Sequence, residues 1–290
     1  MKNQFKMAML MAGAAAMLPT VACAEHHSDK KMAASKDNAA LDGVLKSDIR
    51  KGDMARDKYR NPGKTLTFMG VTPEMTVAEY APGGGWYSRV LAPYVAEKGK
   101  YIGLQFAPDP LPFPDAAKER IRGFNTAFPE SLAKSSGLDA SKITAYTTDT
   151  IPEEAKGTVD FVFIPRMLHN LLRWNVADSE IKAIRALLKD GGTLGIVQHR
   201  AKDDAPYSYT DGNKGYLRTA DVVAFMDLNG FELVKKAEIN ANAKDTADYE
   251  KGVWTLPPGL RTSKDNAENK AKYSAIGESD RMTLLFKKRP

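Results

Sequence analysis

From residue 76 to the end, the chain alternates two kinds of hydrophobic pattern. Short runs rich in Val, Ile, Phe, Tyr and Thr fall at 76–80, 100–105, 143–148, 159–164, 193–198, 231–239 and 281–287. Between most of them lie stretches of helix length, at 86–95, 115–124, 178–188 and 219–229, the third strongly amphipathic. A run of four to eight apolar residues bounded by turn residues reads as a buried strand. Strands separated by helices need crossover connections, and these place successive strands parallel in one sheet. The pattern predicts an α/β fold: a doubly wound, mostly parallel seven-stranded sheet of Rossmann-like type.

The first seventy-five residues follow a different plan. Lys2 and Lys6 precede an apolar run over 7–18, and Ala22-Cys23-Ala24 supplies small residues at a cleavage position, so 1–24 reads as a secretory signal peptide. Thr20-Val21-Ala22-Cys23 is also an imperfect lipoprotein box, which leaves a lipid anchor at Cys23 open beside soluble export to the periplasm. Residues 25–40 are polar and aperiodic and read as a flexible tether; the His26-His27 pair inside it makes no defined metal site. Leu41, Val44, Leu45 and Ile49 have helical spacing, which predicts one helix running to Tyr59 until Asn61-Pro62-Gly63 stops it, then a short helix over 64–69. This prelude, 41–70, forms an N-terminal helical cap on a single domain spanning 41–290. Residues 240–280 form an insertion before the last strand, long for a plain connection, with Trp254 and Pro257-Pro258 at its centre.

Composition narrows the classes. A chain of 290 residues that is 43% hydrophobic and 27% charged is neither disordered nor polytopic. Its one cysteine excludes a disulfide framework and thiolate metal centres. Loss of Lys2 and Lys6 with the leader takes the net charge of +6 to +4, diffuse except at Lys287-Lys288-Arg289, so nucleic acid is not an expected partner. The sequence leaves the oligomeric state open.

Open parallel sheets bind ligands at the carboxyl ends of their strands. Glu79, Tyr80, Ala81, Pro82, Gly83, Gly84 and Gly85 stand at the end of the first strand, where consecutive glycines let the backbone approach a ligand. A tight turn needs only one of the three. A dinucleotide fingerprint would need a third glycine, or an alanine, where Ser88 stands, which weakens a nicotinamide-dependent oxidoreductase.

Val77 to Gly85, with its acid followed by spaced glycines, resembles the first motif of class I S-adenosylmethionine-dependent methyltransferases, with Ala81 in place of the first glycine. Leu187-Leu188-Lys189-Asp190-Gly191-Gly192 resembles the turn before that family's fifth strand, and Asn229-Gly230-Phe231 its later helix exit. Arg56 to Pro62, together with Pro82 to Tyr87, resembles a group of exported bacterial proteins predicted to be methyltransferases. The resemblance implies S-adenosylmethionine as cofactor, held by Glu79, Tyr80, Ala81, Gly83, Gly84, Gly85, Gln105 and Asp149. Gln105 stands where the family usually has an acid for the ribose hydroxyls, and Asp149 matches the acid beside the adenine; a turn or capping role suits Asp149 equally.

His169, with Asn170, follows the fourth strand, and His199 ends the fifth. The resemblance puts the former segment beside the transferred methyl group, so His169 is a candidate base with Asn170 positioning it; a loop anchor is the alternative. A metal shared by His169 and His199 is a weak ligand set, and no metal is expected. Arg56, Tyr59, His199, Arg200 and Trp254 are candidate substrate contacts, with Arg60 beside them on the prelude. The expected activity is methyl transfer to a small-molecule acceptor in the cell envelope. A noncatalytic small-molecule-binding module that retains the fold is the main alternative.

Overall fold

The computed structural model of the chain describes residues 39–263 and 265–290; the leader, Cys23, the histidine pair and the tether up to residue 38 lie outside them. Seven strands form one sheet: β1 (Thr76–Tyr80), β2 (Lys100–Gln105), β3 (Ile143–Thr147), β4 (Val159–Pro165), β5 (Leu188–His199), β6 (Phe231–Ala237) and β7 (Arg281–Lys288). Their order is β3-β2-β1-β4-β5-β7-β6. The first five pair in parallel, and β7 runs antiparallel between β5 and β6.

Period-two alternation explains why the central strands are apolar throughout. In β4, Phe161 and Phe163 face one side of the sheet while Val162 and Ile164 face the other, and all four are fully buried. Helices cover both faces, as a parallel sheet requires. The side of Val77, Phe161 and Phe163 packs on α1 (residues 39–45), α3 (Pro62–Met69), α4 (Ser88–Val95) and α6 (Phe124–Ser136). The side of Tyr80, Val162 and Ile164 packs on α7 (Leu168–Arg173), α8 (Ala177–Leu187) and, beyond the single turn α9 (Tyr207–Thr210), α10 (Thr219–Leu228). In α8, Ile181, Ile184 and Leu187 supply the buried stripe and Asp178 and Glu180 the acidic first turn.

Several boundaries depart from the pattern. The prelude is not one helix: α1, which already includes residues 39 and 40 of the supposed tether, gives way to two 3-10 turns and then α2 (Asp57–Arg60). Arg50 causes the break, because its fully buried guanidinium turns back to the Leu45 carbonyl (3.0 Å) and the Asp57 carboxylate (2.7 and 3.0 Å). The helical run does stop at Asn61, which in a left-handed conformation caps α2 and joins it to α3, opened by Pro62 at its first position. The stretch after α5 (Asp115–Arg122) holds α6, obscured by Pro129 although Phe124 and Phe128 stack at 4.7 Å four residues apart. Asp190-Gly191-Gly192 is an irregularity within β5 rather than a turn before it, since Leu188 already pairs with Val159.

The insertion is folded. It carries a 3-10 turn (Gly252–Thr255), the cis Pro257–Pro258 bond and α11 (Ala267–Ile276), and fully buried Leu256 anchors it. Asn242 donates to the Ile276 and Glu278 carbonyls (3.0 and 2.7 Å), and the buried Asp245 carboxylate accepts the Asp280 amide at 2.7 Å. These bonds bring the segment over the carboxyl ends of the strands.

Candidate active site

The order of strands reverses between β1 and β4, the position where open α/β sheets hold their ligands. A cavity of about 550 Å³ opens there. Its floor is Glu79, Ala81, Pro82, Gly83 and Gly84 at the carboxyl end of β1 and Pro165 to Asn170, except Leu168, at that of β4; His199 and Arg281 line it from β5 and β7. Asp53, Arg56 and Arg60 enter from the prelude, and Trp254, Pro257, Pro258 and Arg261 from the insertion. Such a volume suits a small organic ligand.

Two residues on the floor hold left-handed backbone without being glycine: Ala81 (φ 51°) and Arg166 (φ 58°). Each costs about 1–2 kcal/mol, and they end the adjacent strands β1 and β4, so the strain sits at the ligand edge. Beyond Ala81 the glycines leave room. A Cβ at Gly84 would meet no atom within 4 Å, and one at Gly83 only the Ala81 carbonyl at 4.0 Å. Arg89 ties this loop to the prelude, donating to the Gly84 carbonyl (2.9 Å) and to both oxygens of Asp53 (2.6 and 2.9 Å).

Glu79 is buried, and Ser88 and Tyr101 both donate to its Oε2, at 2.7 and 2.8 Å. Burial pushes its carboxyl up to about 7 against the pull of those two donors and of Arg166. The same group lines the cavity, ready to meet a cationic or hydrogen-bond-donating ligand group.

His169 and His199 lie with ring centroids 5.4 Å apart. Burial holds His169 down at about 4, in part offset by its hydrogen bond with Gln198. The Gln198 Nε2 that bonds the Gly215 carbonyl (2.9 Å) is 3.2 Å from His169 Nδ1; assigned on this contact, Nδ1 accepts and Nε2 carries the proton. His199 is likewise held well below the ordinary range by burial and by His169, and its Nδ1 is 2.5 Å from Ser279 Oγ. Trp254 packs edge-on over His169 (5.9 Å), with the Arg173 and Arg261 guanidinium groups 5.3 and 5.6 Å from the same ring.

An arginine cluster completes the wall. Glu278, buried at 3% exposure, accepts from Arg56 Nε (2.7 Å), Arg60 Nε (3.0 Å) and Arg281 Nη2. Burial alone would raise its carboxyl, but Arg281, Arg60, Arg166 and Arg56 together hold it at about 2. Arg166 lies on the cavity floor, where Glu278 and Glu79 act on it through their charge and no side-chain hydrogen bond to it is found among the described residues. Burial, with Arg60 and Arg281 beside it, depresses its guanidinium to about 9.

The structure therefore gathers Glu79, Ala81, Gly83, Gly84, His169, Asn170, Arg56, His199 and Trp254 at one cavity. Other expected contacts lie elsewhere. Tyr80 points through the opposite face, donating to Glu180 at 2.7 Å, and Gly85 sits behind the loop against Arg89. Tyr59 packs on Gly277, and Arg200 is held outside by Asp280 (2.9 and 3.0 Å) and Glu238. Gln105 and Asp149 do not line the cavity. They stand on the same sheet edge, however, next to β1 through the order β3-β2-β1. With strands ~4.8 Å apart, the edge from Asp149 to Arg166 spans about 14 Å, the length of an extended small ligand. The open glycine floor and the Glu79 carboxyl fit the aminoacyl end of S-adenosylmethionine, and the sheet edge provides a course for the remainder. Among the described residues no group of three His, Cys, Asp or Glu side chains forms a metal-binding set.

Pattern reading missed Arg166, Glu278 and Arg281. The signal for Arg166 was its place directly after β4; Glu278 ends the insertion and Arg281 opens the last strand, and only topology brings them to the cavity.

A seven-stranded sheet with one antiparallel strand and a ligand cavity at its switch point defines a class of cofactor-binding α/β fold. Comparison identifies it as the class I methyltransferase fold. The S-adenosylmethionine-dependent methyltransferase from Aquifex aeolicus superposes with a TM-score of 0.51 at 17% identity, covering 82% of this chain and 96% of that one. The geranyl diphosphate C-methyltransferase from Streptomyces coelicolor, in complex with Mg²⁺, geranyl diphosphate and S-adenosylhomocysteine, gives 0.51 at 13%, covering 82% and 81%. The [4+2]-cyclase SpnF gives 0.53 at 14%, covering 84% and 86%. No family model and no curated protein matches the chain by sequence.

Proposed function

We propose that the protein is an S-adenosylmethionine-dependent methyltransferase acting on a small-molecule acceptor in the cell envelope. One observation carries this reading: on a class I methyltransferase fold, the switch-point cavity is floored by glycines whose missing side chains leave open space and is walled by a buried carboxyl. When bound, S-adenosylmethionine supplies an electrophilic sulfonium methyl whose sulfur keeps the electron pair as the acceptor takes the methyl group and releases a proton.

The chain's residues bind and align. Gly83 and Gly84 admit the cofactor's backbone-contacting portion, and Glu79 takes its ammonium. Gln105 and Asp149, further along the edge, meet the nucleoside. Trp254 and Pro257-Pro258 close the cavity against water, and Asn170 and His169 orient the acceptor. His169 acts as a neutral positioning group, since holding a proton at pH 7 on a ring whose affinity centres at about 4 costs about 4 kcal/mol. On the reading of 1–24 as a leader, the protein works in the periplasm, free or anchored at Cys23.

Calorimetric titration of the purified chain with S-adenosylhomocysteine tests the proposal. Saturable binding that Gly84→Asp abolishes, without loss of thermal stability, is expected, because the new side chain enters the cavity and displaces nothing in the protein. An absence of binding to wild type overturns it. It then favours the noncatalytic small-molecule-binding module.

A further inference from the structure

The cavity has a charge that methyl transfer by itself does not require. Six arginines line it (Arg56, Arg60, Arg89, Arg166, Arg261 and Arg281) against three acids, Asp53, Glu79 and Glu278. Asp53 is taken by Arg89, and Glu278 is shared by Arg56, Arg60 and Arg281. Glu79 is hydrogen-bonded through neutral hydroxyls.

That leaves Arg166 with no carboxylate hydrogen-bonded to it, only the field of a Glu278 already bonded to three other arginines. Grouping partly desolvated guanidinium ions is unfavourable, and Arg60 and Arg166 show it, both held below the ordinary arginine range by burial and by other arginines. The left-handed backbone at Arg166 adds to that cost. A fold retains an uncompensated cationic cluster at the floor of an open cavity at a net loss unless a bound anion restores the balance. Arginine's planar fork matches the oxygens of phosphate or carboxylate, and the desolvated site strengthens such hydrogen bonds.

We propose that the acceptor carries an oxyanion, a phosphate or carboxylate group, which docks on Arg166 between Arg60 and Arg281 and presents its nucleophile to the transferable methyl. This rests on the methyltransferase reading and names the substrate class of that same site. The cofactor's own aminoacyl carboxylate is the other source of such a group. On the proposed cofactor placement it meets the cavity from the Gly83–Gly84 side, whereas Arg166 follows β4.

The test titrates inorganic phosphate and pyrophosphate into the full chain at constant ionic strength in chloride, with and without S-adenosylhomocysteine, for wild type, Arg166→Gln and Arg56→Gln. The expected result is saturable phosphate binding that persists in the presence of S-adenosylhomocysteine. Arg166→Gln should weaken it by tenfold or more, and Arg56→Gln, at the cavity rim, by a few-fold, while both keep wild-type affinity for S-adenosylhomocysteine within threefold. Arg56→Gln covers the case in which Arg166→Gln fails to fold. Phosphate competing with S-adenosylhomocysteine, together with loss of S-adenosylhomocysteine affinity in Arg166→Gln, assigns the cluster to the cofactor's carboxylate and overturns the proposal. So does a wild type that binds neither anion above the chloride control. Phosphate binding without any S-adenosylhomocysteine binding keeps the anion site and removes the methyltransferase reading on which its role as acceptor site depends.

Discussion

Glu278→Gln is the perturbation that most directly probes how the site is held together. The wild-type carboxylate is the common partner of Arg56, Arg60 and Arg281, is 3% exposed, and joins the prelude to the start of β7. It is held at about 2 against an ordinary 4.5. At 1.36 kcal/mol per pH unit this contributes about 3 kcal/mol at neutral pH, undiminished by solvent because the group is buried. Cutting one member out of a buried ion cluster gives a similar figure, about 3–5 kcal/mol. For a domain of this size that is a fall in Tm of roughly 6–12 °C. Urea unfolding followed by circular dichroism, in chloride buffers free of phosphate and sulfate, measures the difference between wild type and variant. The folded value lies below the unfolded one, so the contribution is complete above about pH 4.5 and is lost as the pH falls through about 2. At pH 3 the gap should have shrunk to less than half its size at pH 7. A gap under 1 kcal/mol at pH 7, or one constant from pH 7 to 3, refutes the reasoning.

Three further outcomes follow from the other buried groups. Glu79 is raised to about 7, so above pH 4.5 its ionisation opposes folding; Glu79→Gln, which still accepts from Ser88 and Tyr101, should match wild type near pH 5 and exceed it by about 2–3 kcal/mol at pH 8. Urea midpoints at the two pH values check this, and a variant no more stable than wild type at pH 8 would sink it. His169 is held at about 4, so its ring resonances in a carbon-13 NMR titration should stay still from pH 8 to 5, where an ordinary histidine moves. As a positioning group it should lose less than tenfold in turnover as His169→Gln; a fall beyond a hundredfold would make it the base.

What the sequence by itself determined is the succession of elements and the edge at which ligands bind. Buried parallel strands must be apolar on both faces, so β4 and the second half of β5 appear as continuous hydrophobic runs, and Gly83-Gly84-Gly85 marks the turn where backbone must approach a ligand. Glu79, His169, Asn170 and His199 were legible for the same reason: each lies at the end of a recognisable strand. Where several side chains compete for the backbone, the pattern misled, as when buried Arg50 broke the prelude and Pro129 concealed α6. The antiparallel seating of β7 between β5 and β6 has no local signature, because either neighbour offers the same hydrogen bonds. Yet that seating carries Glu278 and Arg281 to the arginines of residues 56, 60 and 166. Distance along the chain, more than two hundred residues between Arg56 and Glu278, is why the tertiary structure alone decided the charge of the cavity. Local propensity acts over a few residues, while an ion cluster depends only on where the folded backbone brings its members.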